Sequence, residues 1–438
     1  MARTFKGGIY ADDHKSLTRG KAIELLPPVK ELILPLALRP DAPCQPIVSV
    51  GQRVLLGQQI AEAVSPRSAP IHASVSGTVK AIEPRPDVYG GETVSIVIEN
   101  DLLDEPDPSI RRPADVDSLT AEEAIVILAR SGIVCHGNQG LPTAAKLAAA
   151  RGRVDTILLN GAESEPYLTS DHRILLEYPW EVIGGGSLLS RILGVRRVIL
   201  GVEANKQDAF PKLRECLPQD GSIQLCSLVS KYPQGMERQL TESLTGRSIP
   251  SGKGPLEAGC VVFNIDTAAA VYRLFTGGMP DIRRIVTVSG SAVANPKNLE
   301  CRIGTPMEAL IDACGGFLEP PTRLILGGPM MGLPQTRLDI PVLKTTGGFL
   351  AFGREEERDS ETPACIRCGR CVEACPQQLI PLSLSRLGER GRLALLRDYR
   401  ILDCTECGAC QYVCPGRMPL MQNIRRGKQR VLDARKQK

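Results

Sequence analysis

The chain has 438 residues and a formal net charge of +4, with 42% hydrophobic and 23% charged residues. This composition is typical of a globular protein, excludes a disordered or collagenous chain, and gives no reason to expect a nucleic-acid partner. The longest apolar run, near Leu32–Leu38, is broken by Pro35 and is too short to span a bilayer, and the first eight residues lack the apolar stretch of a signal peptide. The length predicts three or four domains.

The first predicted module covers residues 1–105. Apolar alternation over 46–60, 70–79 and 92–98, punctuated by Gly and Pro, predicts a compact β-barrel or sandwich. The pattern resembles the barrel-sandwich modules of biotinyl and lipoyl carriers, but the expected hairpin reads Pro-Ile-His-Ala-Ser and carries no lysine. We therefore expect a docking module, in which His72 is a structural residue.

An α/β pattern follows a Pro- and Asp-rich linker at 101–117. A helix is predicted at Leu119–Arg130, with a capping box formed by Thr120 and Glu123. Buried strands at 154–159 and 198–202 flank a predicted helix at 181–193, which makes a βαβ unit. We expect a Rossmann-like domain over 118–250.

A third module is predicted over 251–350. Strands at 261–263, 285–288 and 324–326, with a helix at 305–314, are typical of a small β-grasp-type α+β module. An acidic stretch at 354–363 then predicts a linker. Leucines at helical spacing over 382–396 predict that the last module is mostly helical.

Eight of the fifteen cysteines form two runs near the C-terminus. Each run reads C-x2-C-x2-C-x3-C-P, the spacing with which bacterial ferredoxins hold [4Fe–4S] clusters, and in two-cluster ferredoxins the fourth cysteine ligates the other cluster. We therefore expect one cluster on Cys365, Cys368, Cys371 and Cys414, and the other on Cys404, Cys407, Cys410 and Cys375. A disulfide framework or zinc ribbons fit this spacing poorly. Residues 355–425 are thus predicted to pass single electrons.

The end of the chain is basic. From residue 421 to 438 there are seven basic residues and one acid, and we expect a helix ending in a basic tail at 426–438. Contact with an acidic partner, contact with an anionic membrane surface, and a frayed solvated end all remain open.

Clusters that carry single electrons need a partner that accepts two electrons together and releases them one at a time, and flavins do this. Asn160, Glu163 and Glu165 follow a predicted parallel strand, where ligands of open α/β sheets bind. A glycine-bearing turn at 132–143 precedes a predicted helix that contains Lys146, and such a turn offers N–H groups to a phosphate. Most turns of this kind are only turns, so this signal is weak by itself.

Taken together, these segments resemble the C subunit of the Rnf electron-transport complex over nearly the whole chain. The resemblance is carried by the two cysteine runs and by shorter motifs at residues 5–8, 70–79, 160–166, 232–237, 286–290, 302–306 and 327–332. The middle of the chain is similar to the flavoprotein component of respiratory complex I, which binds FMN and NADH.

The resemblance implies a function and a set of site residues. The family couples electron flow between reduced ferredoxin and NAD⁺ to pumping of Na⁺ or H⁺. Its C subunit is a peripheral arm on the cytoplasmic face of the membrane, with the other, membrane-embedded subunits as partners and ferredoxin as an indirect one. The implied cofactors are FMN, NAD(H) and two [4Fe–4S] clusters. The implied FMN and NAD(H) residues are Gly137, Gly140, Lys146, Asn160, Glu163, Glu165, Tyr232, Glu237 and Asn264.

The predicted phosphate loop departs from the family pattern Gly-Leu-Gly-Gly-Ala-Gly-Phe-Pro. Cys135, His136, Asn138 and Gln139 stand where glycines or small and apolar residues are usual, and the Phe is replaced by Leu141. This departure leaves open an electron-wiring subunit whose flavin site has decayed. A soluble flavoprotein resembling cobalamin reductases also stays open, because those proteins share the α/β and cluster domains, although they resemble this chain less at the N-terminus.

Overall fold

The computed structural model describes residues 2–39, 41–111, 116, 118–137, 140–354 and 364–436. Most of the expected acidic linker, part of the 101–117 linker, the end of the basic tail, and Asn138 and Gln139 lie outside these ranges. Within the described ranges, no helix is both long enough and apolar enough to cross a bilayer.

The strands and α-helices form four modules along the chain. The strands are β1 (Ile23–Leu25), β2 (Glu31–Pro35), β3 (Cys44–Pro46), β4 (Arg53–Val54), β5 (Gln59–Ala63), β6 (Ile71–His72), β7 (Gly77–Pro86), β8 (Glu92–Asn100), β9 (Thr156–Gly161), β10 (Arg197–Glu203), β11 (Ile223–Leu228), β12 (Cys260–Asn264), β13 (Arg283–Ser289), β14 (Lys297–Arg302), β15 (Arg323–Leu326), β16 (Leu333–Gln335) and β17 (Gly348–Phe352). The helices are α1 (Ala121–Ser131), α2 (Thr143–Ala150), α3 (Ser170–Glu177), α4 (Pro179–Leu193), α5 (Ala209–Cys216), α6 (Glu237–Thr245), α7 (Ile265–Gly277), α8 (Met307–Ala313), α9 (Arg370–Glu373), α10 (Pro381–Glu389), α11 (Leu393–Asp398), α12 (Ala409–Tyr412) and α13 (Leu420–Lys436).

The first module is the expected barrel-sandwich. Strands β2, β8, β7 and β4 form one antiparallel sheet in that order, and β3, β5 and β6 form a second. Alternate residues such as Leu32, Ile60 and Ile98 point between the sheets and are fully buried. His72 is also buried there, and burial lowers its pKa to about 3, so this histidine is neutral.

The α/β domain has a four-stranded parallel sheet in the order β11-β10-β9-β12. Helix α1 begins with the expected capping box, in which Thr120 and Glu123 bond each other's backbone N–H. Helices α4 and α7 pack on the sheet and bury a large apolar core. The predicted strand and helix types at 119–202 are confirmed, whereas α3 was not foreseen.

The structure corrects the module membership of two segments. The strand predicted at 261–263 is β12, which pairs with β9 in the α/β sheet, although the sequence pattern placed it in the β-grasp module. Strand β1 lies within the range assigned to the barrel but pairs with β14 of the β-grasp sheet. Sheet pairing joins segments distant in the chain, and local periodicity carries no information about the partner strand.

The β-grasp module forms a six-stranded sheet in the order β1-β14-β13-β17-β15-β16, covered by α8. The strands and helix predicted at 285–288, 324–326 and 305–314 are confirmed as β13, β15 and α8. The last module is helical, as expected, with α10 packed against α13. Gly388 and Gly427 allow this close approach, because a Cβ added to Gly427 would lie 2.8 Å from the Cα of Gly388.

Candidate flavin and iron–sulfur site

The α/β sheet has a topological switch point between β9 and β12. From β9 the chain runs outward to β10 and β11 on one side and then returns to β12 on the other. Connections leave such a point in opposite directions and open a crevice at the carboxyl ends of the strands, where ligands of this class of sheet bind. Asn160 and Asn264 are register partners at this edge, so two amide side chains flank the crevice.

Hydrogen bonds hold both amides in place. The Nδ2 of Asn160 donates to the carbonyl of Gly235 at 2.9 Å. The Oδ1 of Asn264 accepts from the N–H of Asp266 and caps α7, while its Nδ2 donates to Asp171 at 3.0 Å. Burial, and then repulsion by Glu163, raises the pKa of Asp171 to about 7. The two asparagines are thus fixed at the mouth of the crevice beside a carboxyl group that titrates near neutral pH.

The predicted phosphate loop lies over this crevice. The N–H of Cys135 donates to the carbonyl of Leu141 at 2.8 Å and closes the base of the loop. Helix α2 begins directly after the loop. A Cβ added to Gly137 would lie 3.6 Å from the Cβ of Asn264, an ordinary van der Waals separation, so the loop at Gly137 lies close to that residue. The loop therefore meets the end of β12, as the phosphate-loop interpretation requires.

Two of the unusual loop residues point into the protein. The side chain of Cys135 is part of the apolar core, with its Sγ 3.8 Å from the hydroxyl of Thr143. The ring of His136 is buried between two carboxylates, with Nε2 at 3.1 Å from Asp281 and Nδ1 at 3.3 Å from Asp266. Neither side chain adds bulk to the crevice.

Lys146 lies on α2 and reaches across the same edge. Its Nζ is 2.7 Å from a carboxylate oxygen of Glu237 at the start of α6, and it sits over the ring of Phe263 at 5.4 Å from the centroid. The lysine side chain is 11% exposed and the glutamate 30%. A positive charge is therefore available beside the loop, paired with a carboxylate that is open to solvent.

Glu163 stabilises the loop that follows β9. Its carboxylate accepts from the backbone N–H groups of Asp171 and His172, at 2.7 and 3.3 Å, in the first turn of α3. The buried ammonium groups of Lys15 and Lys206 lie 3.7 and 4.0 Å away. Both of its oxygens are thus engaged within the protein, and direct contact with a cofactor stays a prediction.

Glu165 connects this loop to the β-grasp module. Its two oxygens accept from the N–H groups of Met330 and Met331, each at 3.0 Å. Burial raises its pKa to about 7, although these two N–H donors and Lys15 oppose the shift. The loop is also held by Lys15, which donates to the carbonyl groups of Glu163 and Glu165 at 2.9 Å.

Tyr232 joins the crevice to the cysteine module. It lies in the loop after β11, and its hydroxyl donates to the carbonyl of Cys407 at 2.6 Å. Burial raises the pKa of this phenol, so the hydroxyl keeps its proton and remains a donor. Tyr232, Ile9, Ala374, Cys407 and Ala409 form one apolar cluster, so the two modules share a packed interface.

Three cysteines of the second run line a small space in the last module. Cys404, Cys407 and Cys410 line it together with Cys375 from the first run, among apolar residues such as Leu384 and Met421. The N–H of Leu379 points at the sulfur of Cys375 at 3.3 Å. Burial, above all, raises the pKa of Cys404 to about 11, so a thiolate here needs compensation by a metal.

The remaining four cysteines lie at the outer side of the module. Burial is the main cause that raises the pKa of the Cys371 thiol, and Cys414 and Cys368 raise it further. These three cysteines therefore lie near one another. A Cβ added to Gly416 would lie 1.9 Å from the carbonyl of Ala364, which brings the loop after Cys414 against the residue before Cys365. The grouping supports the crossed assignment of four cysteines to each cluster, which stays a proposal.

The described residues fit the implied groups. Two cysteine quartets with N–H donors suit [4Fe–4S] clusters, and fixed amides, a lysine and a helix N-terminus around a switch-point crevice suit a flavin phosphate and its polar groups. Sequence reasoning missed Asp171, Gly235 and Lys15. Lys15 lies 148 residues before Glu163 in the chain, and no local pattern indicates that they meet.

The family comparisons agree with this architecture. The RnfC barrel sandwich hybrid domain matches residues 3–102, the Nuo51 FMN-binding domain 128–273, the SLBB domain 285–334 and the 4Fe-4S dicluster domain 364–418. The FMN-domain match includes β12 and most of α7, in agreement with the observed sheet. A solved NAD⁺-reducing [NiFe]-hydrogenase shares this fold at a TM-score of 0.51 and 19% identity, over 71% of this chain and 62% of that one.

Curated relatives match almost end to end. The C subunit of the Na(+)-translocating ferredoxin:NAD(+) oxidoreductase complex of Acetobacterium woodii is 41% identical over 99% of this chain and 98% of the relative. The C subunit of the proton-translocating complex of Clostridium ljungdahlii is 41% identical over 97% of this chain and 93% of the relative. The C subunit of the ion-translocating oxidoreductase complex of Rhodobacter capsulatus is 39% identical over 99% of this chain and 84% of the relative.

Proposed function

The chain belongs to the family of C subunits of ion-translocating ferredoxin:NAD(+) oxidoreductase complexes, and from that premise we propose that it exchanges electrons between NAD(H), FMN and two [4Fe–4S] clusters. It is a subunit of a multi-subunit membrane complex. We place it at the cytoplasmic face of the membrane, where NAD(H) and ferredoxin are found, in contact with the other subunits of the complex.

The residues at the switch point would hold FMN. Lys146 and the N-terminus of α2 would bind its phosphate, and the loop glycines Gly137 and Gly140 would allow the backbone to come close. Asn160 and Asn264 would donate or accept hydrogen bonds at the crevice edge. When bound, FMN exchanges the two electrons of a hydride with nicotinamide and passes them on singly to clusters.

One observation carries this proposal. The crevice and the enclosed cysteine quartet are joined by direct contact, because Tyr232 follows β11 at the crevice edge and donates to the carbonyl of Cys407. In addition, Met330, which donates its N–H to Glu165, has its carbonyl 3.1 Å from where a Cβ on Gly408 would lie. The loops proposed to bind the flavin and the cluster are therefore packed together with little protein between them.

The test is a cofactor analysis of protein purified without oxygen. Iron, sulfide and released flavin are measured per chain, and absorption spectra are recorded before and after NADH. We expect about eight irons from two four-iron clusters, one FMN, and bleaching by NADH. Eight irons with no flavin, even after FMN is added, and no response to NADH would instead support an electron-wiring subunit. Reduction of a corrinoid by the isolated protein would favour the third function.

A matched pair of variants tests the phosphate role of Lys146. Lys146→Ala removes a charged donor, and loss of such a hydrogen bond costs about 1.5–3 kcal/mol, so we expect FMN to bind at least about tenfold more weakly. Lys212→Ala, on the exposed face of α5, is the control and is expected to leave FMN affinity unchanged. Equal affinity of the two variants for FMN would contradict the assignment.

A further inference from the structure

The two cysteine quartets differ in their burial. The quartet of Cys375, Cys404, Cys407 and Cys410, called the enclosed quartet below, has three buried members, whereas Cys368 of the other quartet is exposed. A [4Fe–4S] cluster becomes more negative when it takes up an electron, and burial disfavours the added charge. Burial alone would therefore make a cluster on the enclosed quartet harder to reduce, unless hydrogen bonds to its sulfurs compensate.

Two side-chain donors of the enclosed quartet have no acceptor. Gln377 and Thr405 both line the space between its four cysteines. The Nε2 of Gln377 and the hydroxyl of Thr405 are buried, and neither has a hydrogen-bond partner among the residues that the structure describes. Buried polar groups nearly always have a partner, so two such donors beside one space indicate an acceptor within it.

The turn that carries Gln377 is held in place from two sides. The N–H of Leu379 points at the sulfur of Cys375 at 3.3 Å, which folds the turn over this cysteine. From helix α6, the Nε2 of Gln239 donates to the carbonyl of Pro376 at 3.2 Å. The residue directly before Gln377 is therefore fixed by the α/β domain, and the amide is kept beside the enclosed quartet.

Thr405 is held between two cysteines of the second run. Lys428 donates to the carbonyl of Cys404 at 2.7 Å and so fixes the backbone directly before Thr405. Burial is the main cause that raises the pKa of the Cys407 thiol, and the Thr405 hydroxyl is among the groups that lower it. The hydroxyl therefore lies beside this sulfur.

The other quartet has no such donors. The two cysteine runs have the same spacing, so each position in one run has a counterpart in the other. The counterpart of Thr405 is Ile366, which is 67% exposed, and the counterpart of Gln377 is Gly416. Neither isoleucine nor glycine has a side-chain donor. The two donors are thus specific to the enclosed quartet, although one comes from each run.

We propose that Gln377 and Thr405 donate hydrogen bonds to the sulfurs of a [4Fe–4S] cluster on the enclosed quartet and thereby raise its reduction potential. Each donor stabilises the reduced cluster more than the oxidised one, because the reduced cluster carries one more negative charge. The inference rests on the proposed function and deepens it, because it names the residues that let the cluster beside the crevice accept an electron. In that step one electron passes from the reduced flavin to the cluster, no bond forms or breaks, and no proton moves.

The test is a redox titration of the full chain, purified without oxygen and loaded with iron. The protein is reduced stepwise with dithionite, and the reduced clusters are counted by electron paramagnetic resonance. We expect two one-electron steps, one for each cluster. In Thr405→Val and in Gln377→Leu we expect the same single step to move to lower potential, with the ratio of reduced to oxidised cluster at a fixed potential falling at least fivefold, or about 40 mV. The other step is expected to stay in place.

Two further variants are the controls. Gln378→Leu changes the exposed neighbour of Gln377 and is expected to leave both steps unchanged. Thr405→Ser keeps the hydroxyl and is expected to hold the ratio within about twofold of the wild type. Iron content establishes that each variant is loaded, and the comparison of Thr405→Val with Thr405→Ser decides the question if Gln377→Leu loads poorly.

Three results would overturn the proposal. The first is an unchanged potential in Thr405→Val, and the second is an equal shift in Thr405→Ser. The third is movement of different steps in Thr405→Val and Gln377→Leu, because the two donors would then act on different clusters. The titration uses dithionite and needs neither NADH nor FMN. The expected shifts in a chain that binds no flavin would contradict only the proposed exchange with NAD(H), whereas unchanged steps in a flavin-loaded chain would contradict only this inference.

Discussion

At the scale of single residues, the position of Cys375 bears on how the two proposed clusters would be ligated. It belongs by sequence to the first run, yet it lines the same space as Cys404, Cys407 and Cys410. In a crossed arrangement both runs contribute to both clusters. Each cluster then closes a loop of the chain and ties the two halves of the module together.

Double substitutions distinguish a crossed from an uncrossed arrangement. Cys375→Ser with Cys407→Ser removes two ligands from one predicted cluster, so we expect about four of the eight irons to remain. Cys375→Ser with Cys368→Ser removes one ligand from each cluster, and we expect the iron content to fall further. Iron and sulfide analysis of the two anaerobic preparations checks this. The reverse order of iron contents would mean that each run ligates its own cluster.

His136 shows how a departure from the family loop is accommodated. Burial and the nearby Arg284 lower its pKa, but Asp281 and Asp266 raise it by more, so the net shift is upward. Arg284 and Arg273 in turn pair with Asp266, and Lys344 lies near Asp281. His136 thus lies between two buried carboxylates, and these contacts fix the loop at the base of the crevice.

The sign of the resulting pH dependence follows from the raised pKa. Stabilisation by charged His136 is complete below the unfolded pKa of about 6.5 and is lost as the pH rises through the higher folded pKa. We expect His136→Gln to lower the thermal midpoint most at pH 6 and least at pH 9. His14→Gln, at an exposed histidine, is the control and should show no such trend. A midpoint difference that is constant with pH would contradict this role for His136.

At the scale of secondary-structure elements, three glycines let α4 pack closely on α7 and the sheet. A Cβ on Gly184 would lie 2.4 Å from the ring of Tyr272, one on Gly185 would lie 1.9 Å from the carbonyl of Ala268, and one on Gly186 would meet Leu159 at 2.8 Å. The helix thus approaches α7 along its backbone. This packing sets the position of Asn264 at the start of α7.

Gly185→Ala tests this close approach. The added methyl group would collide with a backbone carbonyl, and overpacking of this kind costs about 1–3 kcal/mol. We expect a lower thermal midpoint and weaker FMN binding, because α7 must move. Gly277→Ala, at the end of α7 with no neighbour within 4 Å, is the control and should be neutral or slightly stabilising. Equal midpoints for the two variants would exclude a close helix contact at Gly185.

At the scale of the whole molecule, the first residues of the chain connect distant modules. The N–H of Gly8 donates to the carbonyl of Ala374 at 3.0 Å, and Ile9 forms a backbone bridge with Tyr232. Gly7 has a φ of +79°, and a Cβ there would lie 2.7 Å from the carbonyl of Cys375. The N-terminal segment thus packs between the crevice loop and the enclosed quartet.

Two glycine variants separate this contact from backbone strain. Gly7→Ala and Gly51→Ala both place a side chain at positive φ, which costs about 1–2 kcal/mol, but only the first meets another backbone. We expect Gly7→Ala to lose more iron on exposure to air and to release the cluster module faster in limited proteolysis. Similar behaviour of the two variants would mean that the N-terminal segment does not hold the cluster module in place.

A structural feature could be predicted from the sequence when it depends on residues close together in the chain, and could not when it depends on distant ones. The capping box at Thr120, the strands β9 and β10 and the spacing of the cysteines are local, and each was visible in a short window. The pairing of β12 with β9, and of β1 with β14, was not visible, because a strand's partner is chosen by burial and register across the whole sheet.

The sequence by itself determined the types of the four modules and their order, the chemistry of the cysteine runs and the family, since these depend on residue types at fixed spacings. Only the tertiary structure decided where charged side chains point. It turned His136 away from the crevice toward two buried aspartates, engaged Glu163 and Glu165 with backbone N–H groups, and left Arg367 and Arg370 at the surface without an ion pair among the described residues. The physical reason is that the cost of burying charge depends on partners brought from distant parts of the chain.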